Sequence, residues 1–284
     1  MPVGIYVIDH LFRATSIGGM LATLRSAIPS FSSKATTDMA SDGTQAGKYP
    51  KERPDWDNLS VLHRNTLPPR STFYIYDSEK NALARDVSKR KAHCLSGQWQ
   101  FHLANSPLKA PEGFEDPSFN ASKWSKITVP GMWQLQGFGR GPQYTNVQYP
   151  FNVDPPHPPY MDNECGSYIT HFKVPTQLRG HQLRLRFEGV DSSFHVYVNG
   201  KEVGYSQGSR NPSEFDITEL VDEKGDNVLA VRVYQFCDGS YIEDQVSEVT
   251  HSSKHNRLTP SRTNGGSAAS FGTFTCSAFQ KPCI

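Results

Sequence analysis

The adjacent carboxylates Glu243 and Asp244 are the most obvious candidates for acid–base chemistry in this sequence. A pair of carboxyl groups can donate and accept protons on opposite sides of one reacting bond. Successive side chains of an extended strand, however, point to opposite faces of the strand. Glu243 and Asp244 therefore cannot flank the same bond, and we assign no catalytic pair here.

Histidines in the central part of the sequence could bind a metal ion or transfer protons. None of them stands at the separations typical of a metal site, and His195 alternates with the apolar Phe194 and Val196. We therefore predict surface or packing roles for these histidines. They are His63, His93, His102, His157, His171, His181 and His195.

The five cysteines form an odd set without a CxxC pair. A disulfide framework or a zinc site would need paired or clustered cysteines. We predict mostly reduced thiols, which favours a cytoplasmic location over secretion. The five are Cys94, Cys165, Cys237, Cys276 and Cys283.

The charge balance of the chain limits its partners. Twenty-nine lysines and arginines stand against 28 aspartates and glutamates, so the net charge is +1. Proteins that bind nucleic acid or anionic membranes usually carry a basic excess on one segment or face. No run of about 18 apolar residues is present, so no membrane span is predicted. The composition predicts neither nucleic acid nor a membrane as a partner.

Alternation of apolar and polar residues predicts strands from about residue 92 to 244. Within His181–Val190, three apolar residues alternate with Arg184, Arg186 and Glu188. A period of two residues places the apolar side chains on one face of a strand and the polar ones on the other. We therefore predict a strand here with one buried face and one solvent-exposed face.

The dipeptide Asn199–Gly200 is the strongest hairpin signal in the sequence. It predicts that Lys201–Tyr205 returns as the partner of the strand before it, and Val228–Tyr234 repeats the strand pattern. Helical periodicity is nearly absent. Many short strands between glycine and proline turns predict an all-β fold, specifically a jelly-roll β-sandwich with irregular N- and C-terminal extensions.

Three zones divide the chain. Residues 1–53 contain few aromatic residues and many serines and threonines, and they are predicted to be a disordered extension. A mitochondrial presequence is the alternative, because such segments are basic and poor in acids. The strand-rich zone covers residues 54–245. Residues 246–284 lose the alternation, and no closing strand is predicted in them.

Three long strings carry a resemblance to a known family. They are WQLQGFGRGPQYTNVQYPF at Trp133–Phe151, GYSQGSRNPSEFDIT at Gly204–Thr218 and CDGSYIEDQ at Cys237–Gln245. These strings resemble the amino-terminal part of the large β-galactosidases of glycoside hydrolase family 2. The resemblance extends over about residues 54–245 and implies a sugar-binding jelly-roll domain beside a catalytic (β/α)8 barrel.

The resemblance also implies functions for two residues. Asn146 and Asp238 match the positions that reach into the galactose pocket, and the position of Asp238 also ligates a sodium ion in the family. A carboxylate can accept hydrogen bonds from two sugar hydroxyls, and its hard oxygens suit a cation, whereas an amide offers both a donor and an acceptor. On residue chemistry alone, Asn146 capping a turn and Asp238 forming an Asx-turn before Gly239 would be preferred.

The resemblance further implies hydrolysis of terminal β-D-galactosides such as lactose by an intact homo-oligomeric enzyme that uses Mg²⁺ and Na⁺. We assign no magnesium ligand to this chain. Trp99, Trp124 and Trp133 could stack on sugar rings, but we predict packing roles for them.

Both catalytic glutamates of the family lie on the barrel, which needs roughly 250 residues. The sequence ends at Ile284, shortly after Gln245. We therefore expect this chain to lack the barrel and to be inactive alone, as a weak galactoside-binding module or a non-functional fragment.

The last residues suggest why the resemblance stops. Relatives continue with a sequence like DQWWLSGIFRDV, and one codon choice for it, read one nucleotide later, encodes Thr263–Phe274 as they stand here. The codons for the residues in between can be written so that they contain strings resembling the splice donor, branch point and splice acceptor of an intron. Our hypothesis is that residues 246–284 arise from a retained intron and a frameshift.

Overall fold

A computed structural model describes residues 6–10, 49–142, 149–242 and 273–275 of the chain. Its strands are β1 Tyr6–His10, β2 His63–Arg64, β3 Ala92–Cys94, β4 Gly97–Ala104, β5 Ser125–Val129, β6 Gly131–Met132, β7 Cys165–Phe172, β8 Gln182–Phe187, β9 Gly189–Asp191, β10 Ser193–Val198, β11 Lys201–Gln207, β12 Ser213–Asp216, β13 Asn227–Tyr234 and β14 Thr273–Thr275.

Helices contribute little to the described residues. The single α-helix there, α1, spans Glu79–Ala84, and it is not long enough to cross a membrane. The short 3₁₀ helices are Asp55–Asp57, Val87–Lys89, Pro107–Lys109, Trp133–Gln136, Thr176–Leu178, Thr218–Leu220 and Asp238–Tyr241.

Two antiparallel sheets form a sandwich, as predicted. The larger sheet has the strand order β2-β11-β10-β13-β7-β4-β5, and the smaller one has the order β12-β8-β1-β3. The order is not sequential, because β10 pairs with both β11 and β13 while β13 pairs with β7. Crossovers of this kind are typical of jelly-roll sandwiches.

One apolar core lies between the two sheets. Leu185 and Phe187 of β8 pack in the same buried cluster as Phe194 and Val196 of β10, which confirms the predicted inward faces of both strands. Trp99 and Trp133 also belong to this cluster and are 1 % and 0 % exposed. Their predicted packing roles are confirmed.

The predicted hairpin is present. Asn199 and Gly200 connect β10 to β11 and both have positive φ, at 51° and 80°. These values suit the two central positions of a type I′ turn, which matches the right-handed twist of the flanking strands. Asparagine tolerates positive φ better than most residues, and the Asn199 amide Nδ2 also donates to the Leu220 carbonyl oxygen at 2.9 Å.

The prediction of a solvent-exposed outer face on β8 is wrong at Arg186 and Glu188, because both side chains are buried. Arg186 binds the two Glu188 carboxylate oxygens through Nε at 2.6 Å and Nη2 at 2.9 Å. Its Nη1 binds Glu214 of β12 at 2.8 Å, and Arg70 binds the same Glu214 carboxylate through Nη2 and Nε. We call Arg70, Arg186, Glu188 and Glu214 the Arg186 network.

Two strands lie where the sequence analysis predicted irregular extensions. Strand β1 pairs with β8 and β3, although residues 1–53 were predicted to be disordered. Strand β14 pairs with β6 and β9, although no closing strand was predicted in residues 246–284. Pairing with an existing strand supplies the main-chain hydrogen bonds that a short segment cannot form alone, so local patterns do not reveal such strands.

Candidate functional site

Asp238 begins the 3₁₀ helix Asp238–Tyr241, a few residues after β13 ends at Tyr234. Its side chain is buried, with the residue only 4 % exposed. Neither carboxylate oxygen has a hydrogen-bond partner among the described residues. A buried polar group without a partner is costly, and such groups in native proteins point to a ligand, an ion or a functional role.

The surroundings of Asp238 disfavour its charged form. Burial raises the pKa of Asp238 above its ordinary value, and the negative charge of Asp57 adds to the increase. The Gln207 amide and the Gly239 N–H lie near enough to favour the charged form, but neither reaches a carboxylate oxygen with the geometry of a hydrogen bond, and together they do not offset the burial. A carboxyl group with a raised pKa in a buried position is a physical signal of a functional site.

A cluster of small polar side chains holds the helix that carries Asp238. The Ser240 hydroxyl accepts a hydrogen bond from the Cys237 N–H at 3.1 Å, and the Cys237 side chain caps the Ser240 N–H in return. Ser192 reaches both residues, with its hydroxyl 2.9 Å from the Ser240 hydroxyl and 3.3 Å from the Cys237 sulfur. These contacts position the main chain on both sides of Asp238.

Gln207, at the end of β11, lies beside this helix. Its amide nitrogen would be 3.6 Å from a Cβ built on Gly239. Its amide oxygen accepts a hydrogen bond from the Tyr205 hydroxyl at 2.8 Å. Because the oxygen accepts from Tyr205, the N–H₂ group of Gln207 lies on the Gly239 side, where it favours the charged form of Asp238.

Asp57, the second acid near Asp238, is fully engaged. One of its oxygens lies 2.8 Å from His157 Nδ1 and the other accepts from the Tyr160 hydroxyl at 2.7 Å. The proline-rich loop that carries these two residues also contacts the helix of Asp238, because the Tyr241 hydroxyl donates to the His157 carbonyl oxygen at 2.9 Å. The loop therefore links Asp57 to the end of that helix.

Asp238 fits one part of a cation site. Its carboxylate is buried, lacks a hydrogen-bond partner among the described residues and offers hard oxygen donors. Those same residues contain no group of three or more histidine, cysteine, aspartate or glutamate side chains that could hold a metal ion. The described part of the chain could thus contribute one carboxylate ligand, to be completed by main-chain carbonyls, water or other segments.

Asp238 differs from the other buried acids of the described residues. Each of those has a hydrogen-bond partner: Asp57 has His157 and Tyr160, Glu164 has Trp133 and Arg140, Asp191 has Ser209, and Glu188 and Glu214 have Arg186. Asp238 is therefore the buried carboxylate that can accept a ligand without losing an existing bond.

Other candidate residues of the sequence analysis have varied outcomes. Asn146, Glu243 and Asp244 lie outside the described residues. His195 packs on Tyr205 and lies 3.3 Å from an Asp55 oxygen, in agreement with a packing role.

Sequence reasoning missed the residues that support Asp238. Gln207 lies within the family string Gly204–Thr218, but neither Gln207 nor Ser192 was singled out from the sequence. Asn163 and Glu164, which contact the chain just before Asp238, directly precede the buried strand β7. The signal that could have identified them is Glu164, a charged residue directly before an otherwise buried strand.

Comparisons with known proteins identify the family of this domain. The family model described as "Glycosyl hydrolases family 2, sugar binding domain" matches residues 92–258. A β-galactosidase of Psychromonas ingrahamii is 42 % identical over 191 residues, which cover 67 % of this chain and 18 % of that protein. A β-galactosidase of Kluyveromyces lactis is 41 % identical over 192 residues, which cover 66 % of this chain and 17 % of that protein.

The match to the family model covers more than half of the sequence, and it falls on the sandwich that carries Asp238. The match defines this β-sandwich as a sugar-binding domain of the family. The chain belongs to glycoside hydrolase family 2 through this domain. It spans less than a fifth of the length of the curated relatives named above.

A solved structure is also similar. The β-glucuronidase of Bifidobacterium dentium, determined in complex with coumarin-3-O-glucuronide, aligns with a TM-score of 0.38 and 26 % identity. The alignment covers 50 % of this chain and 19 % of that protein.

Proposed function

We propose that this chain provides the galactoside-binding wall of a β-galactosidase that hydrolyses terminal β-D-galactosides such as lactose. Asp238 contacts the hydroxyls of the galactosyl unit, together with Asn146, and also ligates a sodium ion. The single observation that carries this proposal is the buried Asp238 carboxylate, which lacks a hydrogen-bond partner among the described residues. A sugar hydroxyl pair or a cation would supply the partners that it lacks.

Hydrolysis requires residues beyond those described. A retaining glycosidase needs two carboxyl groups about 5–5.5 Å apart, one of which must be available as a nucleophile. Asp57, the acid whose charge acts on Asp238, is engaged by His157 and Tyr160. The described residues thus supply no such pair around Asp238. We propose, as the family resemblance implies, that the 284-residue polypeptide binds galactosides weakly and does not hydrolyse them.

Burial of Asp238 supports weak binding. Both carboxylate oxygens are inaccessible to solvent when no ligand is bound. A sugar can reach them only if the neighbouring protein groups move aside, which costs free energy. One wall of a pocket also cannot remove water from most of a sugar's surface. An inert fragment would bind no galactoside at all, and this difference separates the two possibilities.

We further propose a cytoplasmic location and a homo-oligomeric intact enzyme. The cysteines in the described part of the chain, Cys94, Cys165 and Cys237, are thiols rather than disulfides. Thiols are maintained in reducing compartments, which supports the location.

Titration calorimetry of the purified chain with isopropyl β-D-thiogalactoside, a ligand that is not hydrolysed, tests the proposed binding. We expect a dissociation constant in the millimolar range, about −4 kcal/mol, and at least a tenfold loss in Asp238→Asn. Asp226→Asn is the matched control, because Asp226 is an exposed acid near His171.

A chromogenic galactoside incubated with the same chain tests the absence of hydrolysis. Turnover at an enzyme-like rate would contradict the proposal that the polypeptide binds without cleaving. Equal binding by the parent chain and Asp238→Asn would contradict the assignment of Asp238. Absence of binding in the parent chain would favour the inert fragment.

A further inference from the structure

Asn163 forms a two-bond clamp on the chain just before Asp238. Its amide nitrogen donates to the Phe236 carbonyl oxygen at 2.9 Å, and its amide oxygen accepts from the Phe236 N–H at the same distance. Asn163 is fully buried. Both main-chain groups of Phe236 are thereby fixed by one side chain, two residues before Asp238.

The next residue, Glu164, continues the clamp. Its carbonyl oxygen accepts from the Gln235 N–H at 2.9 Å, and its own N–H donates to the Gln235 side-chain oxygen at 3.3 Å. Asn163 and Glu164 therefore hold two successive residues, Gln235 and Phe236, where the chain leaves β13 towards Asp238.

The Glu164 carboxylate holds a second segment. One oxygen accepts from the Trp133 indole N–H at 3.1 Å, and the other accepts from the Arg140 main-chain N–H at 2.9 Å. Gly139 has a φ of +67°, and a Cβ there would lie 2.4 Å from the same carboxylate. The glycine is needed because any larger residue would collide with Glu164.

These bonds differ from those of a purely structural buried acid. Glu188, for example, accepts from Nε and Nη2 of Arg186, which is only two residues away in the sequence. Asn163 and Glu164 instead bind mainly main-chain groups of two segments distant in sequence. The Glu164 carboxylate also lies 3.7 Å from Arg140 Nε, so it combines a charge pair with the fixing of main chain. Where the fixed main chain adjoins a functional group, such bonds can set the position of that group.

We propose that Asn163 and Glu164 are positioning residues for the galactoside site. Asn163 fixes the main chain that presents Asp238, and Glu164 joins that segment to the loop around Gly139. This inference rests on the proposed function, because it assigns to Asn163 and Glu164 the task of holding the Asp238 carboxylate where a galactoside meets it.

Asn227 offers a matched control for Asn163. It is also fully buried, and it forms the same reciprocal clamp, with Nδ2 donating to the Asp222 carbonyl oxygen at 2.8 Å and Oδ1 accepting from the Asp222 N–H at 2.7 Å. Asn163→Ala and Asn227→Ala therefore remove the same pair of clamp bonds at different places, and Asn227→Ala also removes a bond from Asn199 Nδ2 at 2.8 Å. Only the first should affect Asp238.

The test combines hydrogen exchange with galactoside binding in the full chain. We expect Asn163→Ala to raise amide exchange in Cys237–Tyr241 about fivefold or more and to weaken isopropyl β-D-thiogalactoside binding about tenfold, the effect of roughly one hydrogen bond. Asn163→Asp keeps the acceptor for the Phe236 N–H and should recover part of both losses. Asn227→Ala should leave both quantities within about twofold of the parent chain.

Glu164→Gln provides a second route should Asn163→Ala not fold. It keeps the shape of the side chain but turns one acceptor into a donor that faces either the Trp133 or the Arg140 N–H. We expect the same increase in exchange at Cys237–Tyr241. Folded variants of Asn163 and Glu164 with unchanged exchange there, or equal effects of Asn163→Ala and Asn227→Ala, would overturn the proposal. If the parent chain binds no thiogalactoside, the proposed function fails, and the exchange data alone decide the positioning role.

Discussion

Two groups of buried acids in this chain have opposite environments. In the Arg186 network, Glu188 and Glu214 each accept at least two charged hydrogen bonds from arginine. At the second place, the start of the 3₁₀ helix Asp238–Tyr241, the Asp238 carboxylate has no hydrogen-bond partner among the described residues. Both are almost completely buried, so burial by itself does not separate a structural acid from a functional one.

The titration behaviour of the two groups follows from this difference. Burial alone would lower the pKa of Arg186, but the hydrogen bonds to Glu188 and Glu214 raise it overall. Burial raises the pKa of Asp238, and the Gln207 amide and the Gly239 N–H offset this increase only in part. The paired acids stabilise the fold as long as their partners remain, whereas the unpaired acid lowers stability and leaves its oxygens for a ligand.

Removing the centre of the network should have the largest effect. Arg186→Met leaves Glu188 buried without its arginine partner, and breaking such a pair costs about 3–5 kcal/mol. Chemical denaturation at neutral pH measures the loss. A loss below about 1 kcal/mol would show that the network contributes as little as a surface ion pair.

Removing the charge of Asp238 should act in the opposite direction. Asp238→Asn is expected to raise the free energy of unfolding at pH 7 by about 1 kcal/mol, at the expense of galactoside binding. The pKa of Asp238 is raised in the folded state, so its charge destabilises the fold at neutral pH. The penalty disappears as the pH falls to the ordinary carboxyl value of about 3.9.

Thermal unfolding of the parent chain and Asp238→Asn over this pH range checks the prediction. We expect the curves of the two proteins to converge in acid. Destabilisation by Asp238→Asn at pH 7 would mean that the carboxylate has a stabilising partner.

Asp55 extends the comparison to an acid that is paired but less enclosed. Hydrogen bonds from His195 and Arg64 hold the pKa of Asp55 well below its usual range. Its contribution to stability is therefore present above about pH 3.9 and is lost as the pH falls below that value. Asp55→Asn should lose about 1 kcal/mol at pH 7, because the Arg64 side chain is half exposed and solvent screens its share.

Denaturation at pH 7 and at pH 3 measures this loss for Asp55→Asn. The difference from the parent chain should shrink at the lower pH. A difference that grows in acid would reverse the assigned direction of the pKa shift.

The smallest effect is expected at an exposed pair. His171 and Asp226 lie 3.2 Å apart, but their side chains are 59 % and 55 % exposed. Asp226→Asn should change the free energy of unfolding by no more than about 0.5 kcal/mol. A larger change would show that the exposure of an acid does not predict its effect on the free energy of unfolding, which would weaken the comparison with Asp238.

Much of the fold could be predicted from local patterns. The apolar alternation in β8 and β10 and the Asn199–Gly200 turn predicted the strands and their connection, because strand faces and tight turns depend on neighbouring residues. Strands β1 and β14 could not be predicted, since short segments of this kind are stabilised by pairing with distant strands. The exposed face predicted for β8 was wrong at Arg186 for a similar reason: its partner Thr72 is 114 residues away in the sequence.

The sequence by itself determined the inward faces of β8 and β10, the hairpin and the family motif that contains Asp238. Only the tertiary structure decided that the Asp238 carboxylate is buried without a hydrogen-bond partner among the described residues, and that Asn163, 73 residues from Phe236, clamps the chain beside it. The physical reason is that strand periodicity is a property of adjacent residues, whereas burial and hydrogen-bond satisfaction depend on which distant segments meet in the folded chain.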